Sequence, residues 1–467
     1  MRNSIGIFIC NYNGKEWVMK CLRSLFEQSF RQFDIYVVDN ASTDGTVESI
    51  LDKYEKKVSV IRNAENMGGS GGFGRGLKTG SEKDYQYIVL LDNDIILDKE
   101  AIKNMRDVLE ANEDVGIVGS KVMILDRPDI IQDFGGRLDF KKYRELPEYG
   151  GERDQESLPA YNECDYVPTC AVMVRTKALR VSGTMPEDNF IYYDDIELSH
   201  KMVLQGYRIV ASGNVKVWHK GGFRKGSENT FSKYYFLRNR LHFFAKYIPE
   251  EDVDQYMETI LSEVFSQLYG YYNKGMKELY QTTVYALDDF LHEVRGKAED
   301  CKIMQITDRP TPFERVISGK KHIRIFFLDD FQSFLCVVRN IQKKQPQSKI
   351  WVSLEQCACR KDKFMDLLRE AVKTDRSKFQ MPEVMVSEES ADMFDLELRM
   401  CEHVNLVETS VLPQVYVDKY CNCITSNQDY EYFRNFRINR SLFMEMYRPL
   451  TECAIKKIRE KAGQNAG

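Results

Sequence analysis

The stretch Asn66–Gly76 reads NMGGSGGFGRG. Within it, Gly69-Ser70-Gly71-Gly72-Phe73-Gly74 satisfies G-x-G-x-x-G, and Asp92 follows about twenty residues later, the spacing of a dinucleotide-binding turn. Position argues against that reading. In a dinucleotide fold the glycines belong to the first βα turn and follow the strand almost at once. Here two strand–helix alternations precede them, and residues 62–68 separate them from the apolar run ending at Ile61. The acid that should hold a ribose alone is the first of two, in Leu90-Leu91-Asp92-Asn93-Asp94. Asn66–Gly80 contains seven glycines, more than a surface loop requires, and it runs into a helical pattern. A glycine-rich turn opening a helix offers N–H donors and little bulk, which suits a phosphate or a sugar.

Around this stretch the first 125 residues alternate. Ile5–Ile9, Asp34–Val38, Val58–Ile61, Tyr87–Leu91 and Gly116–Val118 read as strands. Lys15–Glu27, Thr46–Tyr54, Gly72–Gly80 and Lys99–Ala111 read as helices. Continuous apolar strands alternating with helices imply a parallel sheet covered on both faces. Ligands of such sheets sit beyond the carboxyl ends of the strands. Asn11-Tyr12-Asn13, Asp39-Asn40, the glycine run and Asp92-Asn93-Asp94 all follow strands.

Asp92 and Asp94, two apart at a strand end, can reach one hard cation together, with Asn93 turned the other way. The alternative is a plain turn, where Asp and Asn gather. Asp39 can accept from the N3–H of uracil or thymine, and Asp44 reads as the cap of the next helix. Far downstream, Val215-Lys216-Val217-Trp218-His219 puts an imidazole at another strand end. With the two aspartates it completes a mixed O and N ligand set, which suits Mn²⁺ better than Mg²⁺. In Tyr193-Asp194-Asp195-Ile196-Glu197, Asp194 and Glu197 have the spacing of a capping box. Asp195 then falls in the first helical turn, where the helix dipole favours its ionised form.

Taken together, these motifs resemble the GT-A fold, family 2 glycosyltransferases. The resemblance rests on Asn11-Tyr12-Asn13, Asp39-Asn40-Ala41-Ser42-Thr43-Asp44, Asn66-x-Gly68-Gly69, Asp92-x-Asp94, Asp194-Asp195-x-Glu197-Leu198 and Trp218-His219, in family order over about residues 4–245. Gly68–Phe73 looks like the branch of bacterial galactofuranosyltransferases, with rhamnosyltransferases close by. The resemblance implies inverting transfer of a sugar from a nucleoside diphosphate, UDP or dTDP, to a glycan acceptor. Asp39 would hold the base, with Asn11, Asn66, Gly68, Gly69, Gly71, Gly72, Asp92 and Asp194 around the donor. Asp92, Asp94 and His219 would hold Mn²⁺ or Mg²⁺, and Asp195 would be the catalytic base. The family often carries Glu where Asp194 stands, so the role of Asp194 stays open.

Residues 214–247 hold eight Lys or Arg against the single acid Glu228, interleaved with aromatics from Phe223 to Tyr247. Two readings are open: a surface for anionic lipid, or a core helix with a solvated basic face. Trp218, Arg238 and Arg240 are the candidates for acceptor or membrane contact, the acceptor class being a polyprenyl-diphosphate-linked glycan.

Residues 126–165 look like loops, Tyr207–Ala211 and Val215–Trp218 like two short strands, and 250–300 like helix. A second α/β pattern starts near His322. The expected organisation is therefore a catalytic domain over 1–249, a helical segment over 250–318 and a smaller α/β accessory region over 319–467. The net charge of −5 gives no sign of a nucleic-acid partner. No apolar run reaches membrane-spanning length, and the 12 cysteines lack a C-x-x-C, which points to reduced thiols in the cytoplasm. Peripheral contact with the inner face of the membrane and self-association are further expectations. The competing classes are an NAD-dependent sugar oxidoreductase and a non-catalytic nucleotide-sugar-binding scaffold.

Overall fold

The computed structural model describes residues 3–221, 228–328, 330–354, 361–374, 381–385, 393–408 and 415–464. It divides into two compact units. The first comprises Met1–Ile260, Thr282–Met304 and Leu450–Gly467, the second Leu261–Gln281 and Gln305–Pro449. The segment 250–318 is thus shared between the units.

The first unit opens with β1 (Ile5–Asn11), α1 (Lys15–Phe26), β2 (Phe33–Asp39), α2 (Thr46–Tyr54), β3 (Val58–Arg62), α3 (Gly68–Glu82) and β4 (Tyr87–Asp92). It continues through β5 (Ile95–Leu97), α4 (Ala101–Ala111), β6 (Val115–Ile124), β7 (Arg127–Asp133), β8 (Gly136–Asp139), β9 (Arg144–Pro147), β10 (Tyr161–Cys164) and β11 (Ala171–Arg175). Then follow α5 (Thr176–Ser182), α6 (Asp194–Leu204), β12 (Arg208–His219) and α7 (Thr230–Tyr247). The main sheet is ordered β10-β12-β6-β11-β4-β1-β2-β3, with β5 on β12 and β7 on β6.

Strands β3, β2, β1 and β4 are parallel, but β11 runs antiparallel to both β4 and β6. The sheet is therefore mixed, not wholly parallel as the alternation implied. The chain reaches β11 from the excursion over 126–170 rather than over a crossover helix, and so can enter in the opposite sense. Alternate residues explain the continuous apolar runs. Ile5, Ile7, Ile9, Val89 and Leu91 pack into one core, and Phe8, Ile88 and Leu90 into the core on the other face. Both faces are dry, so neither needs polar residues.

Residues 126–165, read as loops, contain the strands β7–β10, joined by turns and by the irregular stretch 148–160. Their polar composition suits a largely exposed face, as in β7, where Ile131 alone is fully buried. The two short strands expected over 207–218 are one, β12, with its ladder to β6 interrupted between Ser212 and Lys216.

The helix following the glycine run starts at Gly68, not Gly72. Gly72, Gly76 and Gly80 recur every fourth residue and so share one face. A Cβ on Gly76 would stand 2.9 Å from the Phe8 Cβ, one on Gly80 2.7 Å from the Ile88 Cδ1, and one on Gly72 would collide with the Cys10 sulfur. The stripe lets α3 lie directly on β1 and β4.

The remaining elements are α8 (Val253–Asn273), α9 (Lys277–Leu291), α10 (Pro312–Ile317), β13 (His322–Phe326), α11 (Phe331–Lys344), β14 (Lys349–Ser353) and α12 (Lys361–Thr374). After these come β15 (Glu383–Met385), β16 (Leu396–Met400), β17 (Val415–Val417), β18 (Cys423–Ile424), α13 (Asn427–Arg434) and α14 (Phe436–Gln464). The second unit's sheet is ordered β15-β14-β13-β16-β17-β18, parallel but for β18. It is a smaller α/β region, as expected. Asp330 caps α11, accepting from the N–H groups of Gln332 (3.0 Å) and Ser333 (3.2 Å). Phe223, Arg224 and Lys225 of the basic aromatic stretch, Asp329 beside Asp330, and the closely spaced Cys357 and Cys359 lie outside the described residues. No helix among the described residues is long and apolar enough to cross a membrane.

Candidate active site

Parallel register brings the strand ends level: Asn11 pairs with Asp39, and Cys10 with Asp92. Asn11 is buried and ties the ends together. Its amide donates to Asp39 Oδ1 (3.1 Å) and Ser42 Oγ (3.1 Å), and its oxygen accepts from Asn93 (2.8 Å). Asn93, in the turn between β4 and β5, is thus engaged with Asn11. Asp39 also accepts from the Ser42 N–H (3.0 Å), and a carboxylate retains acceptor capacity beyond two bonds. Asp44 bonds the Thr46 N–H (3.1 Å) but sits one residue before the cap position, which Gly45 occupies in the left-handed region.

Asp92, Asp94 and His219 converge, with one ligand atom from each lying within 4.8 Å of the others. His219 Nε2 stands 3.1 Å from Asp94 Oδ1 and 3.7 Å from Asp92 Oδ2. Desolvation pushes the Asp92 carboxyl up to about 6 against the pull of His219, and Asp94 and Asp194 add to the rise. Burial acts upward on Asp94 too, but the bonds from His219 and the Gly221 N–H (2.8 Å) hold it below the usual carboxylate range. Burial acts downward on His219, yet the two aspartates carry it above the usual imidazole value.

The donor set fits a divalent cation. Two carboxylates and an imidazole crowd one point, a charge a cation would offset. The second shell fits as well. The Gln132 amide stands 2.9 Å from His219 Nδ1, and its oxygen is buried without a partner. Turned to accept Nδ1–H, that oxygen leaves Nε2 with the lone pair a metal needs. Nothing in the sequence singles out Gln132: it lies on β7, whose polar composition reads as loop, and no local spacing links it to His219.

Asp194 and Asp195 open α6 after a strained turn. Phe190, Tyr192 and Tyr193 all have positive φ (68°, 66° and 63°), costly for aromatic residues and a mark of a functional constraint. The capping box does not form. Tyr193 is the cap residue without a side-chain bond, and Glu197 instead accepts from Lys246 (2.6 Å) and Tyr247 (3.0 Å) on α7. Asp195 Oδ1 accepts from the Ile196 N–H (2.8 Å). Its carboxyl is nonetheless pushed well above the ordinary range, by burial first and then by the charge of Asp194. The helix dipole therefore does not keep Asp195 an ordinary acid; it is a stronger base than expected. Asp133, also unnoticed in the sequence, is a buried carboxyl pushed up to about 7 by desolvation, and its charge adds to the rise at Asp195.

The glycines mostly serve the fold. Gly68, at φ 71°, leaves no room for a Cβ against the Phe190 carbonyl, and the Ser70 N–H donates to that same oxygen (3.1 Å). Asn66 closes the turn by accepting from the Gly68 N–H (2.9 Å). A Cβ on Gly71 would stand 2.5 Å from that of Met67, and Gly72 faces Cys10. Of the four glycines expected to make room for a ligand, Gly69 alone has open space beside it.

Arg238 and Arg240 are not surface groups. Arg238 is wholly buried and donates to the Gly296 (3.0 Å) and Asn189 (3.1 Å) carbonyls; Arg240 donates to the Tyr143 carbonyl (2.6 Å). Tyr234, Tyr235, Phe243 and Phe244 are buried with them, so α7 is a core helix. Its arginines satisfy carbonyl groups that a purely apolar helix would leave unpaired. Trp218 is half-buried against the core, and its indole N–H is buried without a partner.

Residues 6–181 match the sequence model of glycosyl transferase family 2. Among similar proteins, the dTDP-rhamnosyl transferase RfbG of Shigella flexneri is 32% identical over 108 residues, 22% of this chain and 37% of that protein. The poly-beta-1,6-N-acetyl-D-glucosamine synthase of Staphylococcus epidermidis is 25% identical over 216 residues, 46% of this chain and 49% of that protein. The chain spans half or less of the length of these relatives. A solved structure of GalNAc-T7 with UDP, GalNAc and Mn²⁺ overlays with a TM-score of 0.43 at 16% identity, covering 56% of this chain and 51% of that one. Residues 6–181 of this mixed α/β chain thus resemble a family 2 glycosyltransferase domain.

Proposed function

We propose that the chain is an inverting, metal-dependent glycosyltransferase that moves a sugar from a nucleoside diphosphate to a glycan acceptor in bacterial cell-surface polysaccharide synthesis. The observation that carries this reading is the convergence of Asp92, Asp94 and His219 at the carboxyl ends of the sheet, in the domain that also holds the raised carboxyl of Asp195. Asp92, Asp94 and His219 would hold the cation, whose charge would offset that of the departing diphosphate. Asp39 and Asn11 hold the nucleobase, and Gly69 gives the donor room. Asp195 takes the acceptor hydroxyl proton at its carboxylate as that oxygen attacks the anomeric carbon from the face opposite the leaving group. A raised carboxyl is the better base for this step.

Galactofuranose is the favoured sugar, from the pattern Gly68–Phe73, and rhamnose the next, favoured by the likeness to RfbG. The acceptor is read as a polyprenyl-diphosphate-linked glycan met at the cytoplasmic face of the membrane. The oxidoreductase reading loses its support, because Gly68, Gly71 and Gly72 are filled by the chain itself.

The test is a screen of nucleotide sugars with Mn²⁺, read by thermal stabilisation and by release of nucleoside diphosphate. UDP-galactofuranose and dTDP-rhamnose head the screen. A hit that Asp94→Ala removes supports the proposal. Stabilisation without turnover for any donor and acceptor favours the scaffold, and no response to any nucleotide sugar refutes the assignment.

A further inference from the structure

A cavity of about 900 Å³ lies in the first unit, among helix faces that carry none of the residues assigned above. Glu197, Lys201, Leu204 and Gln205 come from one face of α6, His242 and Lys246 from α7, and Lys461 from the last turns of α14. The end of α5 and the turn holding Asp188 close it, together with Arg295 beyond α9. Five cations line it (Arg180, Lys201, Lys246, Arg295 and Lys461) with two carboxylates, Asp188 and Glu197. Four of the cations already face a carboxylate: Arg180 meets Asp84 (2.5 Å), Lys246 meets Glu197 (2.6 Å), Arg295 meets Asp188 (3.3 Å) and Lys461 meets Glu293 (2.7 Å). Lys201 donates to the Thr184 carbonyl (2.6 Å) and faces none of them.

Two of its nitrogens are buried without a partner: Arg295 Nη1 and His242 Nδ1. The other edge of the Arg295 guanidinium is occupied, Nε and Nη2 both reaching Asp188 at 3.3 Å. Nη1 therefore carries N–H donors that nothing in the protein accepts, a costly condition for a buried charged group unless an acceptor arrives. Burial first, and then Arg295, Lys246, Arg238 and Lys461, hold the His242 imidazole far below its usual value, so the ring is neutral and the surrounding field positive. A neutral imidazole can still donate one N–H. Charged donors gathered in a recess match the oxygens of a phosphate.

We propose that this cavity is a second binding site, independent of Asp92, Asp94 and His219, for a phosphate-bearing anion held by Arg295, Lys461, Lys201 and His242. Phosphate, diphosphate and the phosphate end of a lipid share the required chemistry. The volume accommodates a ligand larger than a single phosphate.

The test is calorimetric titration of the full chain with inorganic pyrophosphate in EDTA at fixed ionic strength, so that no cation can recruit it to the aspartates. Saturable binding is expected, unchanged in Asp94→Ala and weakened about tenfold or more in Lys461→Gln, a change of about 1.4 kcal/mol. Lys461 is two-thirds exposed but pairs with Glu293 at 2.7 Å, so thermal melting of this variant is measured alongside to show that the fold survives loss of that pair. Arg295→Gln, which also loses the Asp188 contact, should weaken binding further. No saturable binding, equal binding in Lys461→Gln, or loss of binding in Asp94→Ala would each overturn the proposal. Sedimentation with phosphatidic acid vesicles, abolished by Lys461→Gln, would assign the site to a lipid phosphate. Pyrophosphate binding without such sedimentation would assign it to a soluble one.

Discussion

Asp195→Asn isolates proton transfer from everything else the site does. The amide keeps the side chain's volume and its Oδ1, so the bond from the Ile196 N–H at 2.8 Å survives. The change removes a carboxyl whose ionised form burial and the neighbouring Asp194 both disfavour, so melting temperature should hold or rise slightly. Asp195 is absent from the cluster of Asp92, Asp94 and His219, so Mn²⁺-dependent nucleotide binding should also be unchanged. What disappears is a base, and a positioned general base contributes about 10²- to 10⁴-fold. At about 1.36 kcal/mol per tenfold, kcat should fall by the equivalent of about 2.7–5.4 kcal/mol while KM for the donor holds. The assay is steady-state release of nucleoside diphosphate in the presence of acceptor, with metal-dependent UDP binding measured on the same preparation. A variant that binds normally and keeps kcat within about threefold of the parent falls outside the range of general-base loss and refutes the assignment.

Asp194→Asn removes the charge that, after burial, does most to raise Asp195. The base must be ionised, so activity is lost as pH falls through the Asp195 pKa. With that pKa lowered, the acid limb of kcat/KM should move to lower pH, and an unmoved limb would show that Asp194 does not tune it. Gln132→Leu strips His219 Nδ1 of its partner and should weaken Mn²⁺ affinity by about 10- to 100-fold, measured by titration, with the fold intact. Gly76→Ala forces a methyl to 2.9 Å from Phe8 and should cost about 1–3 kcal/mol of overpacking, offset by up to about 1 kcal/mol of helix propensity. Gly69→Ala meets nothing within 4 Å, so thermal melting should be unchanged or higher, while the KM for donor rises if the sugar diphosphate lies there.

The elements around the site were legible where hydrophobic period and strand length agree. Ile5–Ile9, Asp34–Val38 and Tyr87–Leu91 all fall within strands, and their ends bring Asn11, Asp39 and Asp92 level because parallel pairing is in register. His219 was legible as a strand end, but its meeting with Asp92 and Asp94 depends on a sheet order that sequence spacing does not encode. Gln132 was lost for a related reason. It lies on a strand with one exposed face, whose polar composition reads as loop, and its only signal is a contact 87 residues away.

The glycine run shows where local reading misleads in an instructive way. Glycine enrichment signals close approach, and close approach is what the structure contains, but most of it is approach by the chain itself. Gly72, Gly76 and Gly80 admit Cys10, Phe8 and Ile88, so α3 rests on β1 and β4. Gly68 admits the Phe190 carbonyl, whose residue begins the strained turn leading to Asp194 and Asp195. Enlarging these glycines would push α3 off the sheet, and with it the turn whose Phe190 carbonyl Ser70 holds at 3.1 Å. The run therefore reaches the chemistry through the backbone it packs against. The period of four, visible in the sequence, distinguishes that role from a phosphate cradle, whose glycines cluster at a single turn.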